Sequence, residues 1–299
     1  MASLKVEAYD KSKGLYLIKA GDLFLKETFG QLKPSKRPGT SPNAFTLGNL
    51  DKNKTKINAI KNYPENTDIA VEYVYSKSST LNGGSNAVSD ARNVSIKVYH
   101  SLMAMPDNNF EPRFDDPRVG YFGQQVDDKT STSTIPYRDL INRWNLVKKN
   151  PDASISEPVT PITWWMENTT PLEWRETIKD AVLKWNIAFE KAGFKNAVVV
   201  KQQPDDADWD AGDVRYNVLR WTSSPRPPFG GYGPSMANPR TGEIIAADIV
   251  QEFNAIKRGY ALRKLWGYSE DNDPLEQWII SLTMHEVGHT LGLRHNFKS

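Results

Sequence analysis

Residues 285–295 read His-Glu-Val-Gly-His-Thr-Leu-Gly-Leu-Arg-His, which packs three of the chain's four histidines into eleven positions. His285 and His289 are four residues apart, so on an α-helix they lie on one face, one turn apart. Glu286 follows His285 by one position and is rotated from it by about 100°. Gly292 comes three residues after His289. Glycine accepts positive φ without steric cost and is the usual residue just past a helix end. A helix that runs through His289 and turns at Gly292 brings His295 back towards the first two imidazoles.

Three converging imidazoles form the ligand set of a hydrolytic zinc site, which leaves a fourth position open for water. Zinc lowers the pKa of that water to near 7, and Glu286 stands beside the metal rather than on it, where it can take the proton. His285, His289 and His295 are therefore the expected metal ligands, and Glu286 the expected catalytic base. Two histidines and a glutamate at fixed spacing arise by chance in roughly 4% of chains of this length. Adding Gly292 and His295 lowers that to roughly one in ten thousand, so the full pattern carries the inference. The competing reading is an amphipathic helix with surface histidines. Concentrating three of four histidines here weighs against it. Gly288 costs a helix interior about 1 kcal/mol relative to alanine. Close approach of a group beside the ligands and ordinary tight helix packing explain it equally well. The remaining histidine, His100, sits in a strand-like run and is expected to be structural.

The pattern H-E-x-x-H-x-x-G-x-x-H resembles the signature of the metzincins, the zinc endopeptidase clan that includes astacins, serralysins and matrixins. Four further segments resemble large bacterial secreted zinc-dependent metalloproteases with a β-rich N-terminal region. They are Asp115-Asp116-Pro117-Arg118-Val119-Gly120-Tyr121-Phe122, Arg215-Tyr216-Asn217, Asn238-Pro239-Arg240-Thr241-Gly242-Glu243-Ile244 and the run through His295-Asn296-Phe297. The resemblance implies a Zn2+ cofactor held by His285, His289 and His295. It implies Glu286 as general base and later proton donor, a peptide or protein substrate, and a parent that is secreted, periplasmic or at the cell surface. It also implies a methionine-containing turn and a C-terminal subdomain beyond the third histidine. No methionine follows His295 in the sequence, which ends at Ser299. The chain is accordingly expected to be a fragment cut before that turn. The alternatives to a peptidase are a zinc-binding but catalytically incompetent fragment, a peptide-binding module, and a zinc hydrolase acting on a non-peptide bond.

Composition bounds the rest. Hydrophobic residues make up 38% of the 299 positions and include nine tryptophans, enough for a sizeable core. Thirty-eight basic and 36 acidic side chains give a net charge of +2, with no basic excess to suggest nucleic acid. The absence of cysteine excludes disulfides and a cysteine-based latency switch. No apolar run approaches the roughly 20 residues of a membrane span. The N-terminus, Met-Ala-Ser-Leu-Lys-Val-Glu, lacks the apolar stretch of a signal peptide. Either the chain is cytosolic or a signal was removed with the upstream sequence; the resemblance favours the second.

The expected fold class is α+β. A β-rich N-terminal domain over residues 1–155 precedes a domain over 156–299. By the resemblance, the second is the upper subdomain of a metzincin-like zincin fold, a mixed twisted sheet with a long helix and an active-site helix. Expected strands in the first domain are 14–19, 22–26, 44–47, 68–75 and 93–102, with a Ser/Asn/Gly-rich loop over 76–86. Residues 106–134 read as an extended crossing segment and 137–148 as a short helix. Lys149-Asn150-Pro151-Asp152, followed by Pro158, marks the linker. Beyond it, 159–166 reads as a buried strand. Thr170-Pro171-Leu172-Glu173 reads as a helix start with a threonine cap, a proline and a box-closing glutamate. Ile178, Val182, Trp185 and Phe189 recur at helical spacing, and Gly193 ends that helix. Strands follow at 197–201, 214–221 and 244–250, then a helix over 274–291.

Two secondary features complete the reading. Gly231, Tyr232 and Gly233 precede the last strand and fall, by the resemblance, near an edge strand that pairs with extended substrate; a plain loop tip is the equal alternative. Asp205, Asp206, Asp208, Asp210 and Asp213 are an oxygen-rich cluster of the kind Ca2+ takes. Their spacing matches no known calcium loop, and a solvated loop is favoured.

Overall fold

The computed structural model describes residues 4–295 except 36, 85–87, 117, 225–226 and 266–273. The chain is α+β and forms two compact units, Met1–Ala104 and Met105–Ser299.

In the first unit, β1 (Val6–Asp10) and β2 (Leu15–Ile18) form an antiparallel hairpin, followed by α1 (Ala20–Phe24). β3 (Asn49–Leu50), β4 (Lys56–Asn62), β5 (Asn66–Ser76) and β6 (Asn93–Met103) build a four-stranded antiparallel sheet in which β5 pairs with all three others. β5 and β6 stay in register from Asn66↔Met103 to Ser76↔Asn93. Ile69, Val71, Tyr73 and Tyr75 alternate along β5 onto one face and bury themselves with Phe24, the period-two pattern that made this strand legible. The Tyr73 hydroxyl donates to the Phe24 carbonyl at 2.7 Å, so at 2.9 Å it is His100 that donates to Tyr73. His100 is thus tied into the polar edge of this core.

Two expected strands here are corrected. Residues 22–26 do not form a strand: Ala20–Phe24 is helical, which drops the Phe24 ring into the core against β5. Residues 44–47 do not pair; the ladder begins at Asn49, opposite Ser76. β1 and β4 escaped notice because both are largely exposed and their sequences lack a clean apolar face.

The second unit starts with an antiparallel pair, β7 (Gly123–Asp127) and β8 (Tyr137–Ile141). Then come β9 (Ile162–Met166), a 3-10 turn at Leu172–Trp174, α2 (Arg175–Leu183), α3 (Asn186–Lys191), β10 (Val198–Gln202) and β11 (Asn217–Thr222). β12 (Gly231–Tyr232), β13 (Ser235–Ala237), β14 (Ile244–Ala247), β15 (Ile249–Glu252), α4 (Phe253–Leu265) and α5 (Pro274–Thr290) complete it. The central sheet runs β10-β9-β11-β15-β12; its first four strands are parallel and β12 is an antiparallel edge. β13 and β14 form a separate antiparallel pair. Ile162, Trp164 and Met166 from β9 and Ile249 from β15 pack with Ile178 and Val182 of α2 and with Ile279 and Val287 of α5. Each such side chain stabilises the fold by about 1.5–3 kcal/mol when fully buried.

Several expectations change in this unit. Residues 137–148 do not form a helix. Tyr137–Ile141 is a strand because β7, inside the expected crossing segment, pairs with it and buries Leu140 and Ile141. The helix start at residue 170 is a 3-10 turn without a side-chain cap. The helix it opens breaks between α2 and α3, where the Trp185 indole N–H turns to donate to the Met284 carbonyl of α5. The expected strand 244–250 is two strands separated by Asp248, whose carboxylate accepts the Val218 N–H at 2.9 Å and so ties β11 to that break. α4 was not anticipated. The two compact units meet at Ala104/Met105. Lys148 bridges Pro158 and Arg143 bridges Glu243, which draws the proline-rich linker into the second unit.

Burial pushes the Asp248 carboxyl up to about 6, with Glu167 adding to the rise and the Val218 N–H and Arg220 opposing it. A raised carboxyl is protonated in both states at low pH. Its charging cost appears as pH climbs from the ordinary range near ~3.9 through about 6. Asp248→Asn keeps an acceptor for Val218 and removes the charge. Urea midpoints measured across pH should show the variant level with the parent below about pH 4 and more stable above pH 6.

Candidate metal centre

Helix α5 buries one stripe, Ile279, Thr283, Glu286, Val287 and Thr290, against the sheet and α2. The buried Gln251 amide of β15 donates to the Thr283 hydroxyl and fixes the rotation of the helix. That rotation turns His285 and His289 outwards, with His289 half-buried and His285 exposed. The helix stops at Gly292, whose φ is +99°. Leu293 N–H donates to the Gly288 carbonyl at 3.0 Å and Gly292 N–H to the His289 carbonyl at 2.9 Å, the bond pair of a glycine-terminated helix. The reversed chain carries His295 to within 2.9 Å of His285 and 3.1 Å of His289, Nε2 to Nε2.

These residues fit a metal. Two bonds of about 2.1 Å at a tetrahedral angle would separate ligand nitrogens by about 3.4 Å. His289 Nδ1 lies 2.8 Å from the Leu293 carbonyl, an acceptor only, so Nδ1 carries the hydrogen. The neutral ring then presents a bare lone pair at Nε2, the tautomer a metal ligand requires. The three Nε2 atoms face one another closely enough for one cation to be shared among them. Among the described residues this triad is the one group of three or more His, Asp or Glu side chains arranged to hold an ion. All three sequence-expected ligands come together.

Glu286 is 5% exposed. Burial raises its carboxyl above the ordinary carboxylate range, while the Gly233 N–H opposes the rise. It lies against β12. A Cβ on Gly231 would sit 2.7 Å from Glu286 Oε1, and one on Gly233 would sit 2.5 Å from the Glu286 carbonyl oxygen. Only glycine allows the strand so near the carboxylate. Tyr232, between them, points outwards and is more than half exposed. A cleft of about 480 Å³ opens over the histidines, walled by Trp185, Met284, Gly288, Leu293 and Arg294. Gly288 is accounted for by packing: a Cβ there would meet Trp185 Cζ2 at 3.0 Å. Trp185 read as a core position in the sequence, and nothing marked it as a wall of the cleft. The aspartate cluster lies elsewhere. Buried Asp213 gives its carboxylate to Arg215 at 2.6 Å, and Asp205, Asp206 and Asp208 are exposed.

Three imidazoles on a helix and its reversed continuation, with a buried glutamate at their side, define a metzincin-like zinc site. Comparison with known families agrees: residues 268–299 match the family described as Met-zincin, and residues 1–149 match a domain of unknown function (DUF5117). No curated protein and no solved structure matches the chain. Residues Asn296 and Phe297, part of the sequence resemblance, lie outside the described residues.

Elemental analysis of the purified chain should find about one zinc per molecule, and His289→Ala should lose it. A wild-type chain without zinc would contradict the site.

Proposed function

We propose that the chain carries the zinc centre of a metalloendopeptidase from a secreted, periplasmic or cell-surface parent, and that it hydrolyses internal peptide bonds. The convergence of three histidine Nε2 atoms beside the buried Glu286 carries this reading. The sheet β10-β9-β11-β15-β12 with α2 and α5 is read as the upper subdomain of a metzincin-like fold.

His285, His289 and His295 would hold zinc, which supplies Lewis-acid activation of water and polarisation of the scissile carbonyl. Glu286 takes one proton from the attacking water as its oxygen bonds to the carbonyl carbon. It then gives that proton to the amine nitrogen as the C–N bond breaks. Burial suits it to both steps: a carboxylate with raised proton affinity accepts more readily, and at neutral pH still releases to an amine. β12, the outer strand of this sheet among the described residues, can pair with an extended peptide as an added strand. Gly231 and Gly233 keep that edge close to Glu286, and Tyr232, exposed beside Phe229, offers a surface for a substrate side chain.

Glu286→Gln keeps the shape of the side chain and abolishes its basicity. It should retain about one zinc per chain and lose peptide turnover by roughly 100-fold or more, read with a panel of quenched fluorescent peptides. Unchanged turnover would overturn the assignment. Zinc binding without hydrolysis in the wild type as well would leave a binding site rather than an enzyme.

A further inference from the structure

His285 and His289 are fixed by α5, but His295 stands beyond the helix on an exposed segment. What fixes it comes from far upstream. Residues 292–294 lie antiparallel to residues 120–122: Phe122 N–H donates to the Gly292 carbonyl at 2.7 Å, Arg294 N–H donates to the Gly120 carbonyl at 3.0 Å, and Tyr121 bridges Leu293 between them. On the far side, Asn142 N–H donates to the Phe122 carbonyl at 2.7 Å. This contact continues the β7–β8 ladder, whose last pair is Gly123↔Ile141. The third-ligand segment is thus the outer strand of a three-stranded ribbon. Two more contacts lock it. Trp144 Nε1–H donates to the Thr290 carbonyl at 2.9 Å, capping a carbonyl that the helix end leaves without an intrahelical partner. The Asn142 carbonyl oxygen presses on Gly292 so closely that a Cβ would collide with it.

We infer that residues 120–122 with Asn142 and Trp144 are positioning residues for the third metal ligand, and that they set how tightly the site holds zinc. The inference rests on the zinc reading above. It also means that the segment 105–149, which matches a different family from residues 268–299, is structurally part of the metal centre. The reason is entropic: a ligand on a free tail must be ordered when metal binds, whereas one mounted on a ribbon is already in place.

The test is zinc affinity of the full chain, measured by competition with a chromogenic chelator. Trp144→Phe keeps a ring and removes the donor to Thr290; it should weaken zinc roughly three- to tenfold. Phe122→Pro removes the N–H to Gly292 and should weaken it roughly tenfold or more, whereas Phe122→Ala, which keeps that N–H, weakens it less. Each substitution is repeated in a His295→Ala background, where the two helix histidines keep a weaker affinity read at higher zinc concentration, with circular dichroism confirming the fold. If the ribbon acts through His295, neither Trp144→Phe nor Phe122→Pro has a further effect there. An equal loss with and without His295 would mean general loosening and would overturn the inference. So would unchanged affinity in Trp144→Phe with His295 present. Failure of the wild type to bind zinc would instead remove the metal reading itself, and this inference with it.

Discussion

Helix α5 ends because Gly292 takes a φ of +99°, and the site is organised around that reversal. The same turn does three things. It places the Leu293 carbonyl where His289 Nδ1 donates to it, which sets the tautomer of His289. It sends the chain back so that His295 meets His285 and His289. It leaves residues 292–294 extended, so they can be hydrogen-bonded as a strand to residues 120–122. Any side chain at Gly292 would be strained in φ and would also strike the Asn142 carbonyl. The helix terminus, the Nδ1 hydrogen bond of His289 and the position of His295 are therefore one constraint, satisfied at one residue.

The second constraint is electrostatic. Glu286 lies on the buried stripe of α5, among residues that pack against the sheet, while the helix turns its histidines outwards. An isolated carboxylate in that environment is costly. The structure offsets the cost partly through the Gly233 N–H. What burial leaves is a carboxyl with raised proton affinity, a property that proton-transfer residues share and that surface glutamates lack. Gly231 of β12 and Gly233 just beyond it complete this arrangement. They let the backbone lie directly against Glu286. The edge strand and the buried glutamate are in this sense a single feature seen from two sides.

How much of this was legible in the sequence follows from where the information is local. The three histidines, Glu286 and the turn at Gly292 lie within eleven consecutive residues, so helix spacing brings His285 and His289 together and the turn returns His295 towards them. β5, β6, β9 and α5 declared themselves through regular apolar spacing. The errors fall where tertiary partners decide. Residues 137–141 carry no strong strand pattern and become a strand because β7 is there to pair with them. Residues 22–24 become helical because Phe24 has a core to enter. The apparent cap at Thr170 is not used, since the chain opens α2 through a 3-10 turn. The ribbon beneath His295 was invisible for the same reason: its partners are separated by some 170 residues of sequence, and nothing local announces backbone pairing at that distance.

Composition made a linker of Lys149-Asn150-Pro151-Asp152 and Pro158, and the chain uses those prolines differently. Lys149 N–H donates to the Glu157 carbonyl and Val159 N–H to the Val147 carbonyl, so the stretch closes as a loop within the second unit. Proline and asparagine report where backbone cannot continue a helix or a central strand. They do not report whether the elements on either side separate. Here they return to each other, and that return keeps residues 105–149 within reach of α5. Trp144 shows the consequence. It packs against the core of the second unit while its indole N–H binds the C-terminal turn of the ligand helix. The pairing of residues 120–122 with residues 292–294 therefore lies wholly within the second unit.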